Sequence, residues 1–513
     1  MITRDEYFKS WGFKVDPFAS TNAEHEEYLN EYFVHPPYFG SLVGSFDKPK
    51  TSMVIAPRGF GKTAQRRRFE KLAVEYCDEI VCIVYDNFPI EGISDLKHIN
   101  IDKHLQKIIK SLLIAFLSKM YETPEVGYND YERKMLLSLI ERYLNNITPT
   151  DVKNTIDNIK GAKGKLYDFW INASKPISSI INMILKAKNL GSVDLELKQQ
   201  KVSEISSVDY FLFLQSLFAR VGFKAVYILI DKIDENHLTG NDSLASYSLI
   251  RPLIKDLSLL EGKLVVFKFF LWDKITDHWA EDIRLDRIEH FELEWEKRQI
   301  KDMINKRLSV LSDEKINMLQ QVLDCETSTI DDIFLFAQNS PRNLINLLNF
   351  IFDEHINRAE NVNSKPDIID ITRGIDKYCA DKFTDVITDK TQQANLRRLK
   401  MATFTIPFLG NNLFKVKENV IRNMIQPWTR AGFVITLPNK VSSKTNKRPV
   451  NLYSVNDIVI ARHICSNQRL EDFISRNIFI CDDCGQVVIF DRLNSYGRDD
   501  FNCPHCQNSV IIS

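Results

Sequence analysis

The sequence predicts an α/β fold: a parallel sheet covered by helices, with a helical insertion, an all-α segment, a basic module and a cysteine-rich tail behind it. Three observations carry this. Apolar runs of strand length recur at 53–55, 80–85, 225–230 and 264–271, continuous instead of alternating, as in strands buried on both faces. Helix-period segments separate them, for example 103–121 with Leu105, Ile108, Ile109, Leu112, Leu113 and Phe116 on one face. The first strand also runs through a glycine-containing loop directly into a helical segment at 64–75.

At 513 residues the chain exceeds a single core. Its 44% apolar and 26% charged residues are ordinary for a soluble globular protein, and a net charge of −1 selects no partner class. No apolar run of about eighteen residues predicts a membrane span, and the first residues do not read as a secretion signal. Nine cysteines, five of them scattered through apolar surroundings, fit a reducing cytoplasm better than a disulfide framework. The expected organisation is an aromatic arm over 1–45 packed on a core of 46–290, a helical insertion at about 123–205, a helical segment over 291–390, a module over 391–466 and a cysteine tail over 470–513.

The loop reads Ala56-Pro57-Arg58-Gly59-Phe60-Gly61-Lys62-Thr63. Strand, glycine loop ending in Gly-Lys-Thr, then helix is the layout of a cradle for nucleotide phosphates. Inward-turned N–H groups at a helix start bind phosphate oxygens, Lys62 neutralises the β- and γ-phosphates, and Thr63 offers a hydroxyl to Mg²⁺. Ala56 departs from the usual first glycine. The run ending at Ile230 delivers Asp231 to a strand end, where a phosphate-binding enzyme places the carboxylate that holds Mg²⁺. Asp234 and Glu235 follow, either of which can orient or deprotonate an attacking water, with Glu235 favoured.

These residues resemble the nucleotide site of AAA+ and STAND ATPases over about 45–350, which makes the sheet that of a P-loop NTPase and 291–390 its lid. The Asp-x-x-Asp-Glu spacing at 231–235 is closer to the STAND and NACHT pattern, with Lys232 where most AAA+ motors carry glutamate. The resemblance implies ATP and Mg²⁺ as ligands, Arg284 and Arg287 as arginine fingers reaching a neighbouring subunit, and Arg342 of Ser-Pro-Arg as a lid sensor of the γ-phosphate, as in the origin-recognition branch. Surface pairing of Arg284 and Arg287 with Asp282 and Asp286 is the plain alternative. Asp273 is the candidate polar sensor after the fourth run.

Between 395 and 463, twelve lysines and arginines face two acidic residues, Glu418 and Asp457. A helix at 416–426, a strand at 432–437, a polar loop at 439–448 and a strand at 450–455 resemble a winged helix. The positive potential suits a nucleic-acid backbone, and a protein-contact module or a solvated basic face is the alternative. Cys481-x-x-Cys484 and Cys503-x-x-Cys506, eighteen residues apart, have the spacing of a four-thiolate Zn²⁺ ribbon, with redox dithiols the alternative.

The functional expectation is an ATP-hydrolysing switch that couples nucleotide state to nucleic-acid binding or self-association when ATP is bound. By resemblance it acts in bacterial antiphage defence with a separate effector protein. The alternative is a signalling scaffold that binds ATP with little hydrolysis and recognises a protein partner.

Overall fold

The computed structural model describes residues 2–124, 127–161, 163–171, 176–195, 205–279, 282–443, 446–492 and 500–511, apart from the side chains of 163–165, 443 and 446–448. The chain forms two compact units, Asn22–Lys306 and Met1–Thr21 with Arg307–Ser513. The aromatic arm therefore divides at Thr21.

The first unit is a six-stranded sheet of β1 (Ser52–Ala56), β2 (Ile80–Tyr85), β3 (Ile159–Lys160), β4 (Ala225–Ile230), β5 (Val265–Trp272) and β6 (Glu289–Glu292), in the order β3-β2-β4-β5-β1-β6. All pairings are parallel except β3 against β2. β1, β2 and β4 are buried throughout and β5 nearly so, which explains their unbroken apolar sequence. The C-terminal ends of β1, β4 and β5 form one edge, with Ala56 opposite Trp272 and Ile230 opposite Phe269. In open parallel sheets this is the edge where ligands bind.

Helix Ile101–Glu122 starts at an Asn100 cap and buries Leu105 through Met120 almost all round. It is covered on one side by the sheet and on the other by the insertion, helices Asp130–Tyr143, Pro149–Asn158, Lys163–Trp170 and Ile177–Ala187, which share the same core. Thr148 and Pro149 start the second of these helices as cap and first turn: Thr148 accepts from the Asp151 N–H, and Pro149 fills a position that needs no donor. Part of the insertion, 172–175 and 196–204, lies outside the described residues. β3, two residues long, was not legible in the sequence.

In the second unit, helices Thr327–Ala337, Pro341–Arg358 and Ile368–Val386 pack together. Gly374 makes the closest approach possible, since a Cβ there would lie 2.6 Å from Ile351 Cα. The first 21 residues complete this unit. Phe18 stacks on Phe352 at 4.8 Å between centroids, Phe8 lies 5.3 Å from the same ring, and Arg307 donates to Pro17 O at 2.6 Å. Helix Lys390–Leu399, β7 (Thr403–Thr405), a short helical turn over 406–414, helix Glu418–Arg430 and the hairpin of β8 (Val434–Ser443) and β9 (Asn446–Val455) follow, with sheet order β7-β9-β8. The expected polar loop 439–448 is mostly strand: the alternation Lys440-Val441-Ser442 lets the backbone pair while polar side chains face out, and two register shifts absorb the irregularity. The helix expected to stop at Gln426 continues through Pro427, because Trp428 is buried in the last turn. Two small hairpins, β10 (Ile478–Ile480) with β11 (Val487–Ile489) and β12 (Asp500–Asn502) with β13 (Ser509–Ile511), close the chain. Among the described residues no helix is long and apolar enough to cross a membrane.

One buried cation in the sheet carries no acidic partner within hydrogen-bonding reach among the described residues. Lys268, 2% exposed on β5, donates to Leu42 O at 2.6 Å and Ser52 Oγ at 2.9 Å. Burial pushes its pKa down to about 7 from 10.5. The unfolded chain then binds more protons than the folded one between those values, so this group makes stability rise with pH from about 7 towards 10 and weakens it below. Its slope is at most ~1.4 kcal/mol per pH unit. Lys268→Met should remove that slope, read as denaturation midpoints of both proteins at pH 7, 8 and 9; parallel pH dependences would contradict it.

Candidate nucleotide and metal sites

The phosphate loop follows β1. Gly59 and Gly61 adopt φ of 82° and 97°, which side-chain-bearing residues rarely do, and Gly61 caps helix Lys62–Glu75. Ala56 is not among the positive-φ residues; it is the last residue of a regular strand, so a methyl in place of the usual glycine creates no strain. Trp295 Nε1 donates to Phe60 O at 2.8 Å and fixes the loop from outside. Lys62 Nζ turns back onto the loop, donating to Ala56 O at 2.8 Å and Pro57 O at 3.0 Å. Its ammonium therefore sits inside the cradle.

At the end of β4, Asp231 is 2% exposed. One oxygen accepts from the Lys232 N–H at 2.9 Å and the other from Arg66 Nε at 2.9 Å. Arg66, one turn beyond Lys62 and also 2% exposed, further pairs with Glu70 and Glu24. Lys232, held at φ 60°, pairs with Glu24 and, at 3.2 Å, with Asp86 at the end of β2. Burial opposes the charge of Arg66, but Glu70, Asp231 and Glu24 outweigh it and its pKa is raised. Burial pushes Glu70 up even with Arg66 beside it. Arg67 and Lys160 act on the same carboxylates, so acid and base are interleaved throughout the cluster.

Asp234 is 7% exposed and faces the phosphate loop, with Arg58 Nε 2.5 Å from its Oδ2. Glu235 is exposed on the same turn, its N–H donating to Lys232 O at 3.2 Å. Thr63 lies in the first turn of the loop's helix. Asp273, the residue after Trp272 on β5, carries a buried Oδ1 with no hydrogen-bond partner among the described residues. Asp231, the Thr63 hydroxyl and Asp273 are oxygen donors of the kind a hard divalent cation such as Mg²⁺ takes.

The structure thus brings together Ala56–Thr63, Asp231 and Asp234. Arg284 and Arg287 lie elsewhere on this unit, on a turn before β6. Arg284 pairs with Asp286 at 2.8 Å and Arg287 with Glu261 at 2.8 Å, both largely exposed, while Asp282 is taken by Arg251 and Lys255. Arg342 is exposed at the start of helix Pro341–Arg358 in the second unit, with Ser340 as cap and Pro341 in the first turn. Sequence reasoning missed Arg66, Glu24 and the side chain of Arg58. The available signal was the arginine run 66–68, one turn past Lys62 and on the face that meets β4.

In the basic module, Lys400, Lys415, Lys417, Arg422, Arg430 and Lys440 are exposed. Arg462 is not: it is buried in a bidentate pair with Asp376 at 2.7 and 3.1 Å. Lys444 and the side chains of Lys447 and Arg448 lie outside the described residues.

The sulfurs of Cys481, Cys484, Cys503 and Cys506 all lie within 4.8 Å of one another. Cys481–Cys506 and Cys484–Cys503 are 3.6 and 3.8 Å apart, too far for the ~2.05 Å disulfide bond and close to the ~3.8 Å edge of a tetrahedron with ~2.3 Å Zn–S bonds. The two knuckles repeat one geometry: Gly485 N–H donates to Cys481 O at 2.8 Å, and Gln507 N–H to Cys503 O at 2.9 Å. Both turn residues have positive φ. The four thiols fit Zn²⁺ with no further ligand required, and His505 is outside the cluster.

The first unit is a mixed α/β domain whose parallel sheet, glycine loop and strand-end carboxylate are consistent with a P-loop NTPase fold. No protein-family model matches the chain, and no curated protein matches it. Among solved structures, a RuvB mutant from Thermotoga maritima is similar at 14% identity, over 51% of this chain and 78% of that one, with a TM-score of 0.19. The functional reading rests on the chain's own geometry.

Purified protein should carry about one zinc per chain, and Cys481→Ser with Cys506→Ser should release it. Metal analysis by mass spectrometry checks both; an unchanged zinc content in the double variant would reject the site.

Proposed function

We propose that the chain is an Mg·ATP-binding switch of the AAA+/STAND class that hydrolyses ATP and couples its nucleotide state to nucleic-acid binding or self-association. The observation that carries this is the convergence of the Lys62 cradle, Asp231 and Asp234 at one sheet edge, tied together by two arginines from the loop and its helix. Loop N–H groups and Lys62 bind the phosphates, and Thr63 and Asp231 hold Mg²⁺, which supplies charge neutralisation to the β- and γ-oxygens when bound. Asp234 or Glu235 orients the attacking water. Exposure of Arg284 and Arg287 suits a role towards a neighbouring copy, and Arg342 acts as the lid sensor. Antiphage defence with a separate effector, in the bacterial cytoplasm, is the setting the resemblance implies.

Helix Glu418–Arg430, with the β7-β9-β8 sheet, has the layout of a winged helix. Ile421, Ile425 and Trp428 are buried, while Asn419, Arg422, Asn423, Gln426 and Arg430 form one exposed stripe. A face of arginines and side-chain amides suits duplex nucleic acid in both phosphate and base-edge contacts. A second reading, a scaffold with little turnover that recognises a protein, is favoured by the arginine pairing of both Asp231 and Asp234, which occupies the carboxylates that hydrolysis uses.

Lys62→Ala should abolish ATP binding measured by calorimetry, and undiminished affinity would sink the assignment. Glu235→Gln should trap ATP in single-turnover assays; normal turnover moves the base role to Asp234. Arg422→Ala with Arg430→Ala should weaken duplex DNA binding about tenfold at ~0.1 M salt and flatten the log–log salt slope by about one to two. Unaltered binding would place the partner elsewhere.

A further inference from the structure

Arg58, third in the phosphate loop, spends its guanidinium hydrogen bonds on the segment that follows β4, two strands from β1. Nε donates to Asp234 Oδ2 at 2.5 Å, Nη2 to the Asp234 carbonyl at 3.1 Å, and Nη1 to Asn241 Oδ1. Its guanidinium carbon lies 4.2 Å from the centroid of the Trp272 ring at the end of β5. One side chain thus joins the turn after β4, the approach to helix Ser243–Ile254 and the end of β5. Holding phosphate requires none of this, because loop N–H groups and Lys62 suffice. A planar fork seated on a carboxylate is, however, equally matched to a phosphate, and the two compete for the same donors.

We propose that Arg58 is a clamp that responds to the γ-phosphate. It holds Asp234 as described, and exchanges that carboxylate for the terminal phosphate of a nucleoside triphosphate, which frees Asp234 and the 231–241 turn. The inference rests on the nucleotide-binding reading above. Three features support the exchange. Arg58 belongs to the loop that cradles phosphates. Its side chain is 32% exposed against 9% for Asp234, so the arginine is the partner with room to swing. The Trp272 face supports the guanidinium from one side and leaves its N–H fork to the competing anions. A diphosphate brings no competing group to this position and leaves the Arg58–Asp234 pair closed. The chain then distinguishes the two nucleotides within a single subunit, before any neighbouring copy or lid arginine is involved.

The test is equilibrium binding of a non-hydrolysable ATP analogue and of ADP, each with Mg²⁺, to the full-length protein and to Arg58→Gln, Arg58→Lys and Asp234→Asn. Arg58→Gln should weaken the analogue about tenfold and leave ADP within about twofold, the scale of one charge-assisted contact. Asp234→Asn keeps the shape but removes the competing charge, so it should tighten the analogue severalfold without changing ADP. Arg58→Lys should fall between wild type and Arg58→Gln. Equal losses for both nucleotides in Arg58→Gln, or an unchanged analogue-to-ADP ratio in Asp234→Asn, would overturn the clamp and reduce Arg58 to a strut. Because Asp234→Asn is isosteric, it decides the matter even if Arg58→Gln does not fold. Wild-type protein that binds neither nucleotide would instead overturn the nucleotide reading itself.

Discussion

A buried arginine among three carboxylates organises the C-terminal edge of the parallel sheet. Arg66 and Asp231 are each 2% exposed, and a charge so far from water is tolerated only where its partners are fixed in place. Removing one member of such a pair costs about 3–5 kcal/mol, because the other stays buried and uncompensated. The constraint extends outward. Glu24 must lie against helix Lys62–Glu75 to complete the set, and Arg67 reinforces that placement by donating to Glu26 O at 2.8 Å. A segment far from the phosphate loop in sequence, and without a motif of its own, is thereby made part of the site.

The second unit relies on a similar device in a different setting. His355 lies between Asp370 at 2.8 Å and Ser364 Oγ at 3.0 Å, while Tyr7 donates to Ser364 O at 2.6 Å. Arg4 adds ion pairs to Asp16 at 2.7 Å and Asp353 at 2.5 Å. A few paired polar groups, together with the Phe8, Phe18 and Phe352 cluster, order the first 21 residues on helices more than 300 positions away. Buried networks of this kind specify one arrangement among the many that hydrophobic contact alone would allow.

The parts legible in the sequence were those with a local signature. Continuous apolar runs gave β1, β2, β4 and β5 because burial on both faces leaves no polar positions. Gly-Lys-Thr gave the loop because backbone conformation and ligand chemistry demand those residues together. The paired Cys-x-x-Cys knuckles named their partners by spacing. What could not be read was long-range. β3 is two residues that pair only because the insertion returns to the sheet edge, and the alliance of Arg66 with Glu24 and Asp231 joins three distant segments. Arg462 counted as part of a basic surface and is instead buried against Asp376, since net charge says nothing about which way a side chain faces. The 439–448 stretch read as loop because its residues are polar, yet backbone pairing across a hairpin needs no apolar side chains.

The cysteine-rich tail does not hang from the chain as an appendage. Leu437, Val441 and Leu452 of the β8–β9 hairpin share one core with Phe479, Val488, Phe490 and Phe501 around the four thiols. Ser454 Oγ bonds to Ile489 O, Thr403 Oγ1 accepts from the Asp491 N–H at 2.9 Å, and Asn439 bonds twice to Asn502. The apolar face of the hairpin is thus completed by residues that surround the thiol cluster. Thiol cluster and hairpin are therefore one packed body, and the position of either fixes that of the other.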